Sequence, residues 1–357
     1  MKISPINQDH YLGQVKASFL GYSNDEKIRT NAASGGIISS LLYTLLNKNM
    51  IDGALVCRQI ISANNINYEV KIVSDPQEIL DFATSVYFDI PILKSLDLIK
   101  NFNGKLAVVG LPCQLKSLSK LCENNEEIPN KIYLKIGLFC GHNSRKELLI
   151  DVLEKKGIQE NEVKKVIFRK GHWRGKMHVL MKKGKETVFP FQHFSMYQNL
   201  HFDSLKKCIY CHDHTAEYAD ISCGDAWLPY LKKDKVKHSI VIARNEKGND
   251  ILKELRRKGH IYLMKVEPEI VFASQKRSII YHKGIEARSK VGKIFGYRID
   301  YPANYKDTAR WNDYLAALIV LMNIKLSYNP TMRKIIFLVP RKLWYPYLIA
   351  FKLLTNF

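Results

Sequence analysis

Two cysteines at a metal-binding spacing are the strongest chemical signal in this sequence. Cys208 and Cys211 form a C-x-x-C pair, the spacing at which two thiolates bind one metal ion or one cluster. Cys113 and Cys140 lie far upstream, each just after a short apolar segment. Thiolates prefer soft metals, so the four cysteines predict either zinc or an iron–sulfur cluster, and spacing alone leaves both open.

The segments before Cys113 and Cys140 have the pattern of buried β-strands. Residues 105–110 and 131–138 are short apolar runs, and a helix-like segment follows each of them. Strands that alternate with helices predict an α/β fold with a partly parallel sheet. Since parallel strands end at one edge of a sheet, we expect Cys113 and Cys140 to lie at that edge, where ligands bind.

The rest of the chain completes the predicted architecture. Residues 165–191 alternate and turn on glycine and lysine, which indicates a β-hairpin, and an apolar helical segment begins near residue 312. We predict an α/β (α+β) fold: a mixed sheet flanked by helices, a cluster-binding region that contains the hairpin, and a helical C-terminal tail. The predicted domains are residues 1–95, which bind flavin, residues 96–270, which carry the cysteines, and residues 271–357, the basic tail.

Composition narrows the class of partner. The 357 residues carry a net charge of +21, which indicates either an anionic partner or a basic, solvated surface. The cations are spread along the chain without a recognition motif, so nucleic acid is not an expected partner. The start lacks the apolar core of a signal peptide, and no run of 18 apolar residues occurs. We therefore expect a reducing, cytoplasmic setting, in which spaced cysteines bind metal.

A turn of small residues precedes the first long predicted helix. Ser34, Gly35 and Gly36 follow Arg29 closely, and an apolar helical segment begins at Ile37. A turn that opens a helix can present backbone N–H groups to a phosphate, and Arg29 adds a positive charge. The alternative is a helix cap and tight turn without a ligand.

Six short motifs in one order resemble a known family. The motifs lie between about residues 25 and 265: R-T-N-A-A-S-G-G, G-L-P-C-Q, G-L-F-C-G, F-R-K-G-H-W, C-I-Y-C and A-D-I-S-C-G-D-A-W. They are similar to the beta subunit family of coenzyme F420 hydrogenase/dehydrogenase, and most of all to its stand-alone members that accompany polysaccharide biosynthesis enzymes. The resemblance implies a [4Fe–4S] cluster on Cys113, Cys140, Cys208 and Cys211, and also FAD or another flavin.

The resemblance also implies roles for other residues. The predicted flavin-binding residues are Arg29, Ser34, Gly35, Gly36, Tyr87, Gln114, Gly224 and Trp227. The candidate catalytic residues are His142, Lys176 and Asp225. Two features depart from the family pattern, because the lysine expected before Tyr87 is absent and no ferredoxin-like module precedes the matched region. Electrons are therefore expected from an external donor or from the substrate.

These features predict a flavin- and [4Fe–4S]-dependent oxidoreductase of cell-surface polysaccharide biosynthesis that acts on a nucleotide- or lipid-linked sugar. Two alternatives stay open: an electron-transfer subunit that serves a partner enzyme, and a binding module stapled by zinc. The tail carries cations together with Trp344, Tyr345 and Tyr347. This composition predicts a helix pair lying on an anionic membrane, at its inner face, or else helices packed on the protein.

Overall fold

One large mixed sheet organises the computed structural model, which describes residues 5–355. Its eight strands lie in the order β11-β1-β10-β9-β5-β4-β2-β3. The strands are β1 (Ala17–Ser23), β2 (Gly53–Ser62), β3 (Asn65–Val73), β4 (Leu106–Gly110), β5 (Ile132–Leu138), β9 (Ile221–Asp225), β10 (Ser239–Ala243) and β11 (Ile261–Lys265), and a separate antiparallel sheet holds β6 (Val163–Lys170), β7 (Lys176–Met181) and β8 (Glu186–Pro190).

Helices cover the large sheet and form the C-terminal region. The α-helices are α1 (Gln8–Leu12), α2 (Glu26–Asn31), α3 (Ile37–Asn47), α4 (Leu96–Asn101), α5 (Pro112–Glu123), α6 (Glu127–Lys131), α7 (Lys146–Glu154), α8 (Gln192–Asn199), α9 (Glu246–Arg257), α10 (Pro268–Lys283), α11 (Ile285–Gly292), α12 (Trp311–Tyr328), α13 (Pro330–Leu338) and α14 (Arg341–Leu354). Short 3-10 helices include Pro76–Phe82 and Lys206–Tyr210.

The centre of the sheet is parallel, as the apolar runs predict. Strand β4 pairs in parallel with β2 and β5, and β5 pairs in parallel with β9. Buried aliphatic residues such as Val108 and Ile136 pack on helices at both faces, which favours a parallel sheet. Strands β4, β5 and β9 therefore end at the same edge, which brings together the segments that follow Gly110, Leu138 and Asp225.

The predicted mixed α/β fold, with its hairpin-containing region and helical tail, is confirmed. Strands before residue 95 and strands after it share the large sheet, so the first two predicted domains are joined through its hydrogen bonds. The division at 95 and 270 stays a prediction. The first four residues of the N-terminal predicted domain and the last two of the predicted tail lie outside the described residues.

From residue 311 onward the tail forms three helices, α12, α13 and α14, rather than the predicted pair, and they pack on the protein. Residues of α12 and α14, including Val320 and Phe351, belong to the same apolar core as strand β4. The Arg333 guanidinium lies 2.6 Å from Asp151 of α7, and Asn323 donates to the Leu200 carbonyl at 2.8 Å. Cutting the chain near residue 311 would expose this core, so the tail has to be tested by substitution.

The tail aromatics correct one expectation about the membrane surface. Trp344 donates its indole N–H to the Ile336 carbonyl at 3.2 Å and lies 5.1 Å from the Phe202 ring. The Tyr347 hydroxyl lies 3.0 Å from the Asn323 amide oxygen. Both side chains are turned toward the protein, so they do not serve as exposed membrane anchors.

Candidate functional site

The four predicted cysteines converge beyond the carboxyl ends of β4 and β5. Cys113 lies in the first turn of α5, and Cys140 follows β5 by two residues. Cys208 lies within the 3-10 helix Lys206–Tyr210, and Cys211 caps its end. All four are free thiols. Burial raises the pKa of Cys140 well above its ordinary value, and the charges of the other three cysteines raise it further, so the four sulfurs form one group.

Backbone hydrogen bonds fix the C-x-x-C segment against the loop after β5. The Leu205 N–H donates to the Asn143 carbonyl at 3.0 Å, and the Asn143 N–H donates to Cys208 Sγ at 3.4 Å. Lys207 pairs with Asp89 at 2.6 Å. The loop that carries Cys140 and the segment that carries Cys208 therefore hold each other in place, although they are far apart in sequence.

Electrostatics keep these thiols protonated while no metal is bound. Burial raises the pKa of Cys208 to about 11 and that of Cys211 to about 12. Burial also raises the pKa of Cys113, whereas the positive charge of Lys207 and backbone N–H groups at the start of α5 lower it. Metal binding must displace these protons, and the N–H donors then stabilise the sulfur charge.

The chemistry of the donor set fits the cluster that the resemblance implies. Four cysteine sulfurs that interact with one another are the donor set of a [4Fe–4S] cluster. Four thiolates also form a structural zinc site, so the donor set alone leaves both metals open. Between residues 5 and 355, no three His, Cys, Asp or Glu side chains are already arranged around one metal position.

A narrow cavity of about 20 Å³, with room for little more than one water molecule, lies at the end of β9. Arg169 is its central residue, and it lies 2.6 Å from the Asp225 carboxylate and 3.4 Å from the Tyr87 hydroxyl. The Trp227 ring lies 4.9 Å from the Arg169 guanidinium. The cavity is lined by Ser34, Arg169, His172, Trp173, Asp225, Ala226, Trp227, Leu231, Val236, Lys237 and His238.

A chain of polar contacts joins this cavity to the cysteines. Gln275 donates its side-chain N–H to the Asp225 carbonyl at 2.5 Å. The other end of the Gln275 amide lies 3.2 Å from His214 Nε2, and His214 Nδ1 lies 3.1 Å from the Cys140 carbonyl. The predicted residues Asp225 and Cys140 are thus connected through two buried side chains, which link the cavity to the cysteine group.

Sequence comparison identifies the family to which the chain belongs. Two family models match, both described as coenzyme F420 hydrogenase/dehydrogenase, beta subunit. The N-terminal one matches residues 18–97, and the C-terminal one matches residues 103–269. Together the two segments cover more than half of the chain. The chain belongs to this family. All four cysteines of the group lie within the C-terminal match.

Relatives in the family are subunits or enzymes named for coenzyme F420. The chain is 29% identical over 284 residues to a coenzyme F420-dependent sulfite reductase from Methanocaldococcus jannaschii, covering 73% of this chain but only 41% of that protein. It is 27% identical over 249 residues to coenzyme F420 hydrogenase subunit beta from Methanococcus voltae, covering 68% of this chain and 82% of the relative.

A solved structure shares the fold of this family member. A chain of the F420-reducing [NiFe] hydrogenase complex from Methanosarcina barkeri aligns with a TM-score of 0.63 and 23% identity. The alignment covers 85% of this chain and 99% of the other.

Within residues 5–355, every helix falls short of the length or the apolar character that a bilayer crossing demands.

The glycines of the predicted phosphate turn have structural tasks in this family member. Ser34 donates to the His238 carbonyl at 2.9 Å, and the Gly35 N–H donates to the Ser239 hydroxyl at 3.0 Å. A Cβ on Gly35 would lie 2.6 Å from the Gly21 carbonyl oxygen, and Gly36 adopts φ +80°. Ser34 lines the cavity, whereas the two glycines attach the turn to the sheet.

Three other predicted residues are not among those that line the cavity. Arg29 donates to the Ser23 carbonyl at 2.7 Å, within its own turn. Gln114 donates to the Ile90 carbonyl at 2.7 Å, and Lys176 is exposed at the start of β7. The side-chain groups of Arg29 and Gln114 thus satisfy backbone carbonyls. The predicted flavin and catalytic roles of these three residues stay predictions that the geometry does not support.

Gly224 and His142 are placed close to the cysteines rather than in the cavity. A Cβ on Gly224 would lie 2.2 Å from the Phe139 ring, so glycine is required for the loop after β5 to cross β9. The His142 ring is buried and stacks on His201 at 4.1 Å. Burial lowers the pKa of His142 to about 4, so at neutral pH it is an uncharged ring.

Sequence reasoning missed two basic residues that lie just before β10 and line the cavity. Lys237 donates to the Ala32 carbonyl at 2.5 Å, just before the phosphate turn, and His238 lies beside it. The antiparallel pairing of β9 with β10 sets Ser239 opposite Asp225, and the Ala226 N–H donates to the His238 carbonyl at 3.3 Å. A prediction that residues 221–225 and 239–243 pair would have found both. Burial lowers the pKa of Lys237 to about 8, so an anion in the cavity would stabilise its charged form.

The buried histidines make the fold sensitive to acid. Burial lowers the pKa of His201 and of His282 well below 6.5, so the native state holds both neutral while the unfolded chain takes up protons near pH 6.5. Unfolding then binds protons, and stability falls as the pH drops below about 6.5, by up to ~1.4 kcal/mol per pH unit for each histidine.

We expect His282→Gln to flatten this loss between pH 7 and pH 5, measured by urea unfolding at each pH. Glutamine does not titrate, and its amide can replace the ring contact to the Gly141 carbonyl, which His282 Nε2 makes at 2.6 Å. His172→Gln, at an exposed position, is the control and should keep the wild-type slope. Equal slopes for both variants would contradict the assignment.

Proposed function

We propose that this chain is an iron–sulfur electron-transfer protein that serves a partner oxidoreductase. The observation that carries the proposal is the half-buried group of four free thiols beyond the carboxyl ends of β4 and β5. The relatives named as a hydrogenase subunit and a sulfite reductase support this role over that of a sugar enzyme. The chain spans only about two fifths of that sulfite reductase, so the reaction and partners of the whole enzyme are part of the proposal.

Cys113, Cys140, Cys208 and Cys211 would hold the cluster. A bound [4Fe–4S] cluster supplies one-electron transfer, with a potential set by charge, hydrogen bonds and solvent access. The Asn143 N–H is already directed at Cys208 Sγ, and the N-terminus of α5 lies at Cys113. Cys208 and Cys211 are half-buried, so the surrounding side chains limit the access of solvent to the sulfurs.

The cavity is the proposed place of FAD or another flavin. Arg169, Lys237 and Ser34 favour a phosphate, and Trp227 offers an aromatic face. The cavity measures about 20 Å³, far less than the roughly 300–1,000 Å³ of usual ligand sites. A flavin could therefore bind here only if the lining side chains move. A bound flavin would exchange two electrons as hydride. The contacts through Gln275 and His214 connect its proposed place to the cysteine group.

The sugar-converting enzyme is the second candidate function. The same cations would bind the diphosphate of a nucleotide- or lipid-linked sugar of a cell-surface polysaccharide, and this cationic cavity is the one observation that favours it. An enzyme of this kind would convert its substrate without a partner protein.

The experiment compares the two functions in one preparation. Anaerobically reconstituted protein is reduced with dithionite, freed of excess reductant, and mixed either with oxidised methyl viologen or with a nucleotide-linked sugar. We expect rapid oxidation by the viologen and an unchanged sugar. Sugar conversion by the chain alone would overturn the electron-transfer proposal, and a preparation that holds zinc without iron would favour the zinc-stapled module.

We also propose that the outer face of the tail lies on an anionic membrane, at its inner surface. Leu343, Ile349 and Leu353 form an exposed apolar stripe along α14, with exposed fractions of 66%, 57% and 58%. The stripe continues to Trp311, which is 73% exposed. From residue 308 to 355 the sequence has seven Lys and Arg residues and a single acid, Asp313. Apolar side chains beside cations are typical of an interfacial helix.

The double variant Leu343→Glu/Ile349→Glu should bind phosphatidylserine vesicles at least ~10-fold more weakly in a sedimentation assay. Each buried leucine or isoleucine is worth about 1.5–3 kcal/mol, and glutamate adds repulsion. The thermal midpoint should be unchanged because both side chains are exposed. Leu98→Glu, at an exposed leucine on α4, is the matched control. Binding by the double variant equal to that of the control would show that α14 does not insert.

A further inference from the structure

Arg288 is a buried cation beside the cysteine group. Arg288 lies on α11, and its side chain and backbone together are 1% exposed. The Nη2 group donates to the Cys211 carbonyl at 2.7 Å and to the His282 carbonyl at 2.9 Å. The guanidinium also contacts the side chain of Tyr281. No carboxylate of residues 5–355 forms an ion pair with it.

The surroundings of Arg288 do not balance its charge. The guanidinium lies 4.4 Å from the centre of the Tyr281 ring. Burial raises the pKa of Tyr281, Arg288 lowers it, and Cys208 and Cys211 raise it further, so this ring lies between the guanidinium and the two thiols. Lys283, the last residue of α10, is also buried, but it forms an ion pair with Glu217 at 2.6 Å. Arg288 differs from this neighbouring cation because it lacks such a counter-charge.

An unpaired buried cation is unfavourable by several kcal/mol unless an anion offsets it. The neighbouring group that can become anionic is the set of four cysteines, since Cys211 is the residue whose carbonyl Arg288 contacts. Four thiolates on a [4Fe–4S] cluster leave a net negative charge, and each electron that enters makes it more negative. A fixed cation at this position stabilises the reduced form more than the oxidised form.

We propose that Arg288 is the internal counter-charge of the cluster, a positioning residue that raises its reduction potential. This inference rests on the proposed function, because it requires the cluster. Arg288 lies beyond residue 269, where the family match ends, so the tail supplies this charge. The step concerned is the uptake of one electron from a reductant by the oxidised cluster, with Arg288 unchanged.

The test is a dithionite redox titration of reconstituted protein, followed by electron paramagnetic resonance. We expect Arg288→Met to move the midpoint potential to more negative values and Arg288→Lys, which keeps the charge, to stay nearest to wild type. Lys293→Met, which removes an exposed cation in the turn after α11, is the control and should leave the midpoint unchanged.

The thermal midpoint of the iron-free protein separates a redox role from a structural one. Without the cluster, Arg288→Met removes an uncompensated charge and should not lower this midpoint. The proposal would be overturned if Arg288→Met melted at a lower temperature but kept the wild-type potential. It would also be overturned if Arg288→Lys and Arg288→Met both had the wild-type potential. Absence of iron and sulfide in the wild-type protein would instead refute the proposed function on which this inference rests.

Discussion

Replacing Cys208 with serine should abolish the visible absorbance of the cluster and lower the soluble yield. Cys208 receives the Asn143 N–H and lies in the segment that is bound to the loop after β5. A serine hydroxyl is a poor ligand for iron, and a cluster that only three thiolates hold dissociates from the protein more easily. Because the site links segments far apart in sequence, loss of the cluster removes a cross-link that stabilises the native state.

The measurement is iron and acid-labile sulfide per chain after anaerobic reconstitution. Cys122→Ser is the matched control, since this free cysteine lies in α5 like Cys113 but near the end of the helix. We expect the control to retain the wild-type iron content and Cys208→Ser to lose most of it. Full iron content in Cys208→Ser would remove this residue from the set of ligands.

Asp225→Asn should destabilise the protein by about 3 kcal/mol, the lower end of the range for breaking a buried pair. The variant keeps the shape of the side chain but leaves the Arg169 guanidinium, which is 5% exposed, without its carboxylate. The Asp225 side chain is 24% exposed, so solvent screens part of the loss. The free energy of unfolding in urea gives the effect directly.

A double-mutant cycle with Arg169→Met isolates the pair from the remaining contacts of each residue. The double variant should be more stable than the sum of the single losses predicts, because it leaves no unpaired charge. Lys253→Met is the control, since the Lys253–Asp250 pair is exposed and should contribute less than ~1 kcal/mol. If Asp225→Asn costs no more than this control, the pair does not organise the cavity.

The sequence was sufficient for the elements that carry the cysteines. Apolar runs ending at Gly110 and Leu138 predicted two buried strands, and their parallel pairing explains why Cys113 and Cys140 share one edge. The C-x-x-C spacing supplied the other two thiols. These features are local or follow from the general behaviour of parallel sheets, so a single sequence contains them.

Features that depend on distant pairing could not be predicted in the same way. Lys237 reaches the cavity only through the antiparallel pairing of β9 with β10, and Arg288 reaches the cysteines only because α11 packs against them. Arg29 and Gln114 have the residue types of ligand-binding groups, yet local backbone carbonyls use their donors. Residue type does not show which hydrogen bonds the fold requires, and the tail pattern did not show which helix face is buried.

The most direct test of the account is the metal content of anaerobically purified protein, measured together with its electron paramagnetic resonance spectrum after reduction. The account predicts about four irons and about four sulfides per chain, as in one [4Fe–4S] cluster, and a signal that disappears on reoxidation. One zinc per chain with neither iron nor sulfide would contradict it, because the four thiols would then form a structural zinc site that transfers no electrons.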